Sequence, residues 1–457
     1  MRQRSNVILE YGVYMLAYPI SYIASLAGMH VVSGLGLILV SLYLYVHWYK
    51  ETGNLVDLRG LFTLAWVGGQ GIACFQLSKL QTNWSYLTWI CLFLIYLCFG
   101  LGYEWKLKDG RIGNGFDAAS INGNRIVHCI HALGIISAAA LIIEISIRGF
   151  VPLLSDKPHA YSTFSVTGVH YLTISCILIP AITILVYCLK VQVSKKQKII
   201  IGIWNIYAIA VPIICVSRFQ LLFLVGFAAV IYVIFNNKRI KKVVIILLLI
   251  MIPAYVLLTI ARNHDVAYLN SIFEMKNSNM PIFITQPYMY VANNFENFNQ
   301  LVIRIEEFSY GLRMLFPVIA LSGLKFAFPG LVNQPIYINK PELTTVTMFY
   351  DAYYDFGIFG VVILAIVIGM IARKIVIMTR NSNNPIIYMF YGQFAIYMGL
   401  AFFTTWFSNP TTWFWFAVTF VIYIYVGKVN NNRFREDSEK CQEGDVIGEV
   451  DAKEVGQ

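Results

Sequence analysis

The sequence predicts an all-α polytopic membrane protein of about twelve transmembrane helices, with both termini cytoplasmic and one long outer loop. Three observations predict it. Of 457 residues, 58% are hydrophobic and only 13% charged, and mean hydropathy is +0.65. The apolar residues fall into separate runs of the roughly 18 to 25 residues that cross a bilayer core. Finally, 24 of the 34 Lys and Arg fall in segments that this arrangement places inside, as the positive-inside rule requires. The net charge of +10 is spread through short loops. It does not gather on one face of a soluble domain, so no nucleic-acid partner is expected.

The spans read in order as 7–27, 31–48, 60–79, 84–103, 126–147, 167–188, 199–216, 219–235, 241–260, 350–372, 385–405 and 412–427. The N-terminus starts basic and turns apolar like a signal sequence, but Glu10 and Pro19 interrupt the run, so a retained first helix is expected. The apolar run 199–235 would be about 55 Å long as one helix at ~1.5 Å per residue, against a bilayer core of about 30 Å. It therefore reads as two helices, with Ser217-Arg218-Phe219-Gln220 as the turn between them. Lys195, Lys196 and Lys198 before the pair, and Lys238, Arg239, Lys241 and Lys242 after it, hold the far ends inside and leave Arg218 facing outside. Seven of the eight cysteines lie in apolar spans, without the paired spacing of a disulfide framework or a metal site.

Residues 1–260 thus form an N-terminal bundle of about nine helices, 261–347 the outer loop and 348–427 three further helices. Residues 428–457 form an acidic cytoplasmic tail without apolar periodicity. Within the loop, Tyr288, Val291, Phe295, Phe298, Val302, Ile305 and Phe308 recur at helical spacing with polar residues between them. This predicts an amphipathic helix, lying on the outer membrane surface or packed over the bundle. The apolar run 312–330 is short and contains Pro317. It reads as re-entrant or interfacial, because a crossing would turn Arg373 and Lys374 outward. No inverted repeat of the transporter kind is present.

Several residues carry chemistry on this map. Arg218 fits a phosphate hook, since a guanidinium forks onto phosphate oxygens; the alternative is a headgroup anchor. Arg262 follows the ninth span and is expected near Arg218, with His264 and Asp265 beside it. Asp351 and Asp355 stand four apart on the helix that opens the tenth span, as do Tyr350 and Tyr354. They fit a general base between aromatic walls, or acids at a helix N-terminus with interfacial tyrosines. Glu144 and Arg148 form an i, i+4 pair, which fits a local ion pair. Arg304 and Arg313 flank the amphipathic element as further candidates for substrate contact. His128 and His131 lack a third metal ligand, and the glycines of 109–115 lack the strand and Lys-Ser/Thr of a phosphate loop.

Four stretches together resemble the Wzy-type oligosaccharide repeat-unit polymerases, the O-antigen and capsule polymerases. They are Gly149-Phe-Val-Pro-Leu-Leu-Ser155; Ser217-Arg218; Tyr288-Met-Tyr-Val-Ala-Asn-Asn-Phe-Glu-Asn-Phe298 leading to Tyr310-Gly311; and Thr344-Thr345 followed by Tyr353-Tyr-Asp-Phe-Gly-Ile-Phe-Gly360. They fall in that family's order across roughly residues 148 to 372, although Phe219 stands where many relatives have Gly. The resemblance implies a glycosyltransferase at the outer face of a bacterial plasma membrane, the inner membrane in a Gram-negative cell. It would move a growing glycan from undecaprenyl diphosphate to the terminal sugar hydroxyl of a second lipid-linked repeat. Arg218 and Arg262, with Arg313, would bind the diphosphate, and Asp355 or His264 would serve as base, without a metal or other cofactor. The expected partners are the two lipid-linked oligosaccharides, the bilayer, and the flippase and chain-length regulator of the same pathway. A flippase of that lipid, or an O-antigen ligase, would share many of these features.

Overall fold

In the computed structural model the described residues are 2–105, 122–155, 160–236, 266–332 and 334–427. The span 241–260, Arg262, His264, Asp265, the loop 109–115 and the tail 428–457 lie outside them. Among the described residues the regular structure is helical apart from one isolated bridge between Ser78 and Met275. Among the described residues, nine helices are long and apolar enough to cross a membrane: Val7–Leu26, His30–Thr52, Tyr86–Tyr103, Gly123–Arg148, Val169–Cys188, Lys195–Ile214, Arg218–Phe235, Tyr350–Asn381 and Pro410–Gly427.

Local chemistry sets their ends. Ser194 and Gln197 form a reciprocal capping box that starts Lys195–Ile214. Ser217 accepts from the Gln220 N–H and starts the next helix at Arg218. The 199–235 run thus divides at the turn that its length demands.

Two other predicted spans are shorter than expected. The 60–79 run is helical only through Leu58–Thr63, a π turn at Leu64–Gly68 and Gly69–Ala73. Beyond it, Gln76 adopts a left-handed φ of 49°, and Ser78 bonds the Phe273 carbonyl at 2.6 Å. The 385–405 run is helical over Ile387–Gly399 and then turns.

The tightest packing joins Tyr86–Tyr103 to Tyr350–Asn381. A Cβ on Gly102 would lie 2.1 Å from the Ile366 carbonyl oxygen, and one on Gly369 2.2 Å from that of Phe99. Only glycine lets the two backbones approach so closely, the usual device where lipid offers no hydrophobic drive to helix pairing.

The amphipathic element exists as Ile282–Arg304, but it is not a surface helix. Its polar residues Asn293, Asn294, Glu296, Asn297, Asn299 and Gln300 are buried along with Phe295 and Phe298. Glu296 accepts from Thr82 Oγ1 at 2.7 Å and Trp84 Nε1 at 3.2 Å. Asn297 Nδ2 donates to the carbonyls of Leu343 and Thr345, both at 2.8 Å, and Phe295 packs 5.4 Å from Trp66. Tyr288 donates to Gln81 and accepts the Leu77 N–H at 2.9 Å; burial drives its phenol well above the ordinary range. Buried polar groups need partners, and the loop after the short 58–73 helix supplies them together with the 339–345 segment. The 312–330 run forms the short helices Phe316–Leu321, Leu324–Ala327 and Pro329–Leu331, with Val318, Phe326 and Phe328 exposed.

Arg59, on Leu58–Thr63, is fully enclosed where that helix meets three others. It pairs with Glu10 and Glu104 and lies 4.1 Å over the Trp48 ring.

Candidate functional site

Two polar clusters contain the predicted site residues that the structure describes, Arg304 excepted. The first begins at a break in Tyr350–Asn381. Phe356 and Gly357 leave the helical region, Gly357 at φ 59°, ψ −139°, a conformation open essentially to glycine alone. This break separates the short Tyr350–Asp355 turn from the long membrane helix and turns Asp355 toward the 309–314 segment.

Asp355 is fully buried. Its carboxylate accepts from Ser309 Oγ, from the Arg313 N–H at 3.2 Å and from the Met314 N–H at 2.8 Å. The Tyr310 N–H adds a bond to the Asp355 carbonyl at 3.2 Å. With three donors on one carboxylate, Asp355 is placed to pin a turn rather than to meet a substrate hydroxyl.

The pinned turn presents Arg313. Its guanidinium bonds Asp351 at 3.1 Å and the Pro335 carbonyl at 2.8 Å, and lies 4.1 Å over the Tyr354 ring. The tyrosines are therefore not the open walls the sequence offered. Tyr354 lies beneath Arg313, and the Tyr350 hydroxyl accepts the Tyr337 N–H at 2.9 Å and donates to the Tyr337 carbonyl at 3.0 Å. Arg313 and Asp351 line a cavity of about 170 Å³, closed by Phe316, Val332, Gln334 and Ser408. Beyond Met314, whose sulfur accepts from Ser408 Oγ at 3.2 Å, an apolar cavity of about 430 Å³ opens among Leu364, Ile368, Phe390, Phe394 and Phe416. Arg304 stands exposed at the last turn of its helix, apart from these contacts.

The second cluster surrounds the Arg218 turn. Arg218 is half-buried as the first residue of its helix. Two residues on, Gln220 Nε2 lies 3.2 Å from His170 Nε2, and His170 Nδ1 lies 3.1 Å and 3.2 Å from the two Glu144 oxygens. The predicted Glu144–Arg148 pair is not formed. Arg148 instead donates to the Phe164 and Ser165 carbonyls at 3.2 and 2.6 Å, because the chain after Gly149 folds back over the helix end and brings His170 to the carboxylate. On the same helix as Glu144, His131 Nδ1 accepts the Trp204 indole N–H at 2.8 Å, which occupies one nitrogen of the HxxH pair.

One segment joins the clusters. Phe219 stacks on Phe403 at 4.5 Å, and two residues later Thr405, with Ser408, turns its hydroxyl toward Asp351. Sequence reading passed over His170, Gln220, Ser309 and Ser408. None carried a local signal except Ser309, which stands directly before the Tyr310-Gly311 stretch.

Fold and site define the class: a multi-pass, all-helical membrane protein with two arginine-bearing polar clusters linked by one loop. No protein-family model matches the chain, and comparison with curated proteins and with solved structures found no match.

Proposed function

We propose that this protein is a membrane glycosyltransferase that polymerises undecaprenyl-diphosphate-linked oligosaccharide repeat units into O-antigen or capsular polysaccharide. In this reading it works at the outer face of a bacterial plasma membrane. The observation that carries the reading is the Arg313 cluster: a guanidinium held rigidly beside a cavity of about 170 Å³, with a larger, wholly apolar cavity directly beyond Met314. That pairing suits a substrate with an anionic head and a long apolar tail.

Transfer from a lipid diphosphate needs fixed positive charge where the leaving group gathers its electrons. Arg218 and Arg313 supply it in this reading, with Arg262 as a third candidate. Asp351 and Tyr354 hold the Arg313 fork, and Asp355 sets the turn from which it projects. Tyr350 fixes the covering 334–337 segment, and Arg304 is a peripheral glycan contact. The chemistry asks for no metal.

Deleting the gene and examining surface glycan together with carrier-linked intermediates tests the reading. Loss of this activity leaves glycan of single repeat units. Long polymer stranded on the carrier would instead mark a ligase, and units retained inside would mark a flippase; either result overturns the proposal.

A further inference from the structure

We infer that His170, oriented by Glu144, is the proton acceptor of the transfer reaction, taking the acceptor hydroxyl's proton beside Arg218. This rests on the polymerase reading and fills the role that the buried Asp355 carboxylate, with three donors on it, is badly placed to fill.

The geometry fixes the imidazole from both sides. Glu144 is fully buried in the apolar helix Gly123–Arg148, where a carboxylate is costly and is retained for a purpose. It accepts the Val166 N–H at 2.8 Å and faces His170 Nδ1 with both oxygens, so Nδ1 carries the proton. On the opposite edge Nε2 meets the Gln220 side-chain amide at 3.2 Å. Glu144 selects the tautomer protonated at Nδ1, so Nε2 accepts from that amide and its lone pair is the basic site. A buried carboxylate behind Nδ1 also stabilises the imidazolium that forms when Nε2 takes a proton.

Access follows the same division. The Glu144 side chain is 0% exposed and that of His170 24%, so the orienting group is sealed and the basic one is open. Gln220 follows Arg218 by two positions on the first turn of Arg218–Phe235, so the helix start that bonds the base also carries the proposed phosphate ligand. Among the described residues, the other charged or titratable groups around this site include Arg148, engaged by the Phe164 and Ser165 carbonyls; Arg218; Tyr161, packed against Val216 and Leu221; and the buried thiols of Cys215, close to Glu144, and Cys176 beside it.

In the step itself, the acceptor hydroxyl oxygen displaces the Gln220 amide from Nε2 and bonds the donor's anomeric carbon. The bond from that carbon to the diphosphate oxygen breaks, and its electron pair leaves on the diphosphate. The hydroxyl proton passes to Nε2 and is later released to water.

The test uses the full chain in lipid nanodiscs, with single-repeat undecaprenyl diphosphate glycan extracted from cells that lack the gene. Polymer formation is followed against pH. Wild type is expected to lose rate on the acid side through one ionisation. His170→Ala should lower kcat by about 10²- to 10⁴-fold, leave KM nearly unchanged, lose the acid limb and regain rate with added imidazole. Glu144→Gln removes the charge that favours imidazolium, so its limb should move to lower pH. Gln220→Ala removes the competing donor, so its limb should move higher. If wild type elongates but His170→Ala keeps its kcat and acid limb, the inference fails while the polymerase reading stands. If His170→Ala does not insert, an unmoved limb in both Glu144→Gln and Gln220→Ala overturns it equally. A wild-type chain that elongates nothing overturns both readings together.

Discussion

Arg59 and Arg313 are built from the same parts and end in opposite states. Each guanidinium lies 4.1 Å over an aromatic ring, Trp48 for one and Tyr354 for the other, and each pairs with carboxylate. Arg59 has two carboxylates, and its side chain is 1% exposed; Arg313 has one carboxylate and two backbone carbonyls, is 15% exposed and borders a cavity. A sealed ion triad locks helices together, whereas a guanidinium held by one carboxylate and backbone carbonyls at a cavity edge still presents part of its fork to that space. What separates a lock from a hook is thus the number of carboxylates and the access to space, not the residue type.

Breaking the lock should give the largest effect. Arg59→Ala leaves Glu10 and Glu104 without their cation, and losing one partner of a buried pair costs about 3 to 5 kcal/mol. Most of the protein should be lost from the membrane fraction, and the remainder should melt well below wild type in detergent. If Arg59→Ala melts like wild type, the triad is no lock.

Breaking the hook should spare the fold and stop the chemistry. Arg313→Lys keeps a charge for Asp351 but loses the planar fork, so elongation should fall by about 10²-fold with near-normal insertion, as measured by polymer length and membrane yield. Arg218→Ala should likewise insert normally and make no polymer, and Arg218→Lys should remain poor. Polymer of normal length from the alanine variant would remove Arg218 from the site.

The smallest effect should come from the backbone that aims the hook. Gly357→Ala places a Cβ at φ 59°, which costs about 1 to 3 kcal/mol, and this Cβ would meet the Phe308 ring at 3.0 Å. A modest drop in melting temperature and a larger drop in elongation are expected, because the strain falls between Asp355 and the membrane helix. An unchanged elongation rate would separate the helix break from the site.

The elements that were legible in advance are those whose signal is local. An apolar run of sufficient length reads as a helix wherever it packs, and Arg218 was placed at a hairpin turn by run length and flanking lysines alone; the structure begins a helix at that residue. The reading of Ile282–Arg304 was half right for the same reason. Periodicity gives its helix but leaves open a place on the membrane surface or over the bundle; the packed placement found depends on Thr82, Trp84 and Leu343, far away in the chain.

The site residues divide along the same line. Asp351, Asp355, Tyr350 and Tyr354 are legible because they crowd one helical turn, but their partners Ser309, Arg313 and Tyr337 come from other segments and carry no signal in that turn. His170 was missed altogether, and Glu144 was given the wrong partner, because 26 residues separate the acid from the imidazole.

By itself, then, the sequence determined a helical, multi-pass membrane chain and the residues that bear charge, because length, hydropathy and charge act within a few turns of one helix. Only the tertiary structure decided which charges are sealed, which face a cavity and which carboxylate meets which base. Those outcomes depend on burial and on partners brought together across the chain.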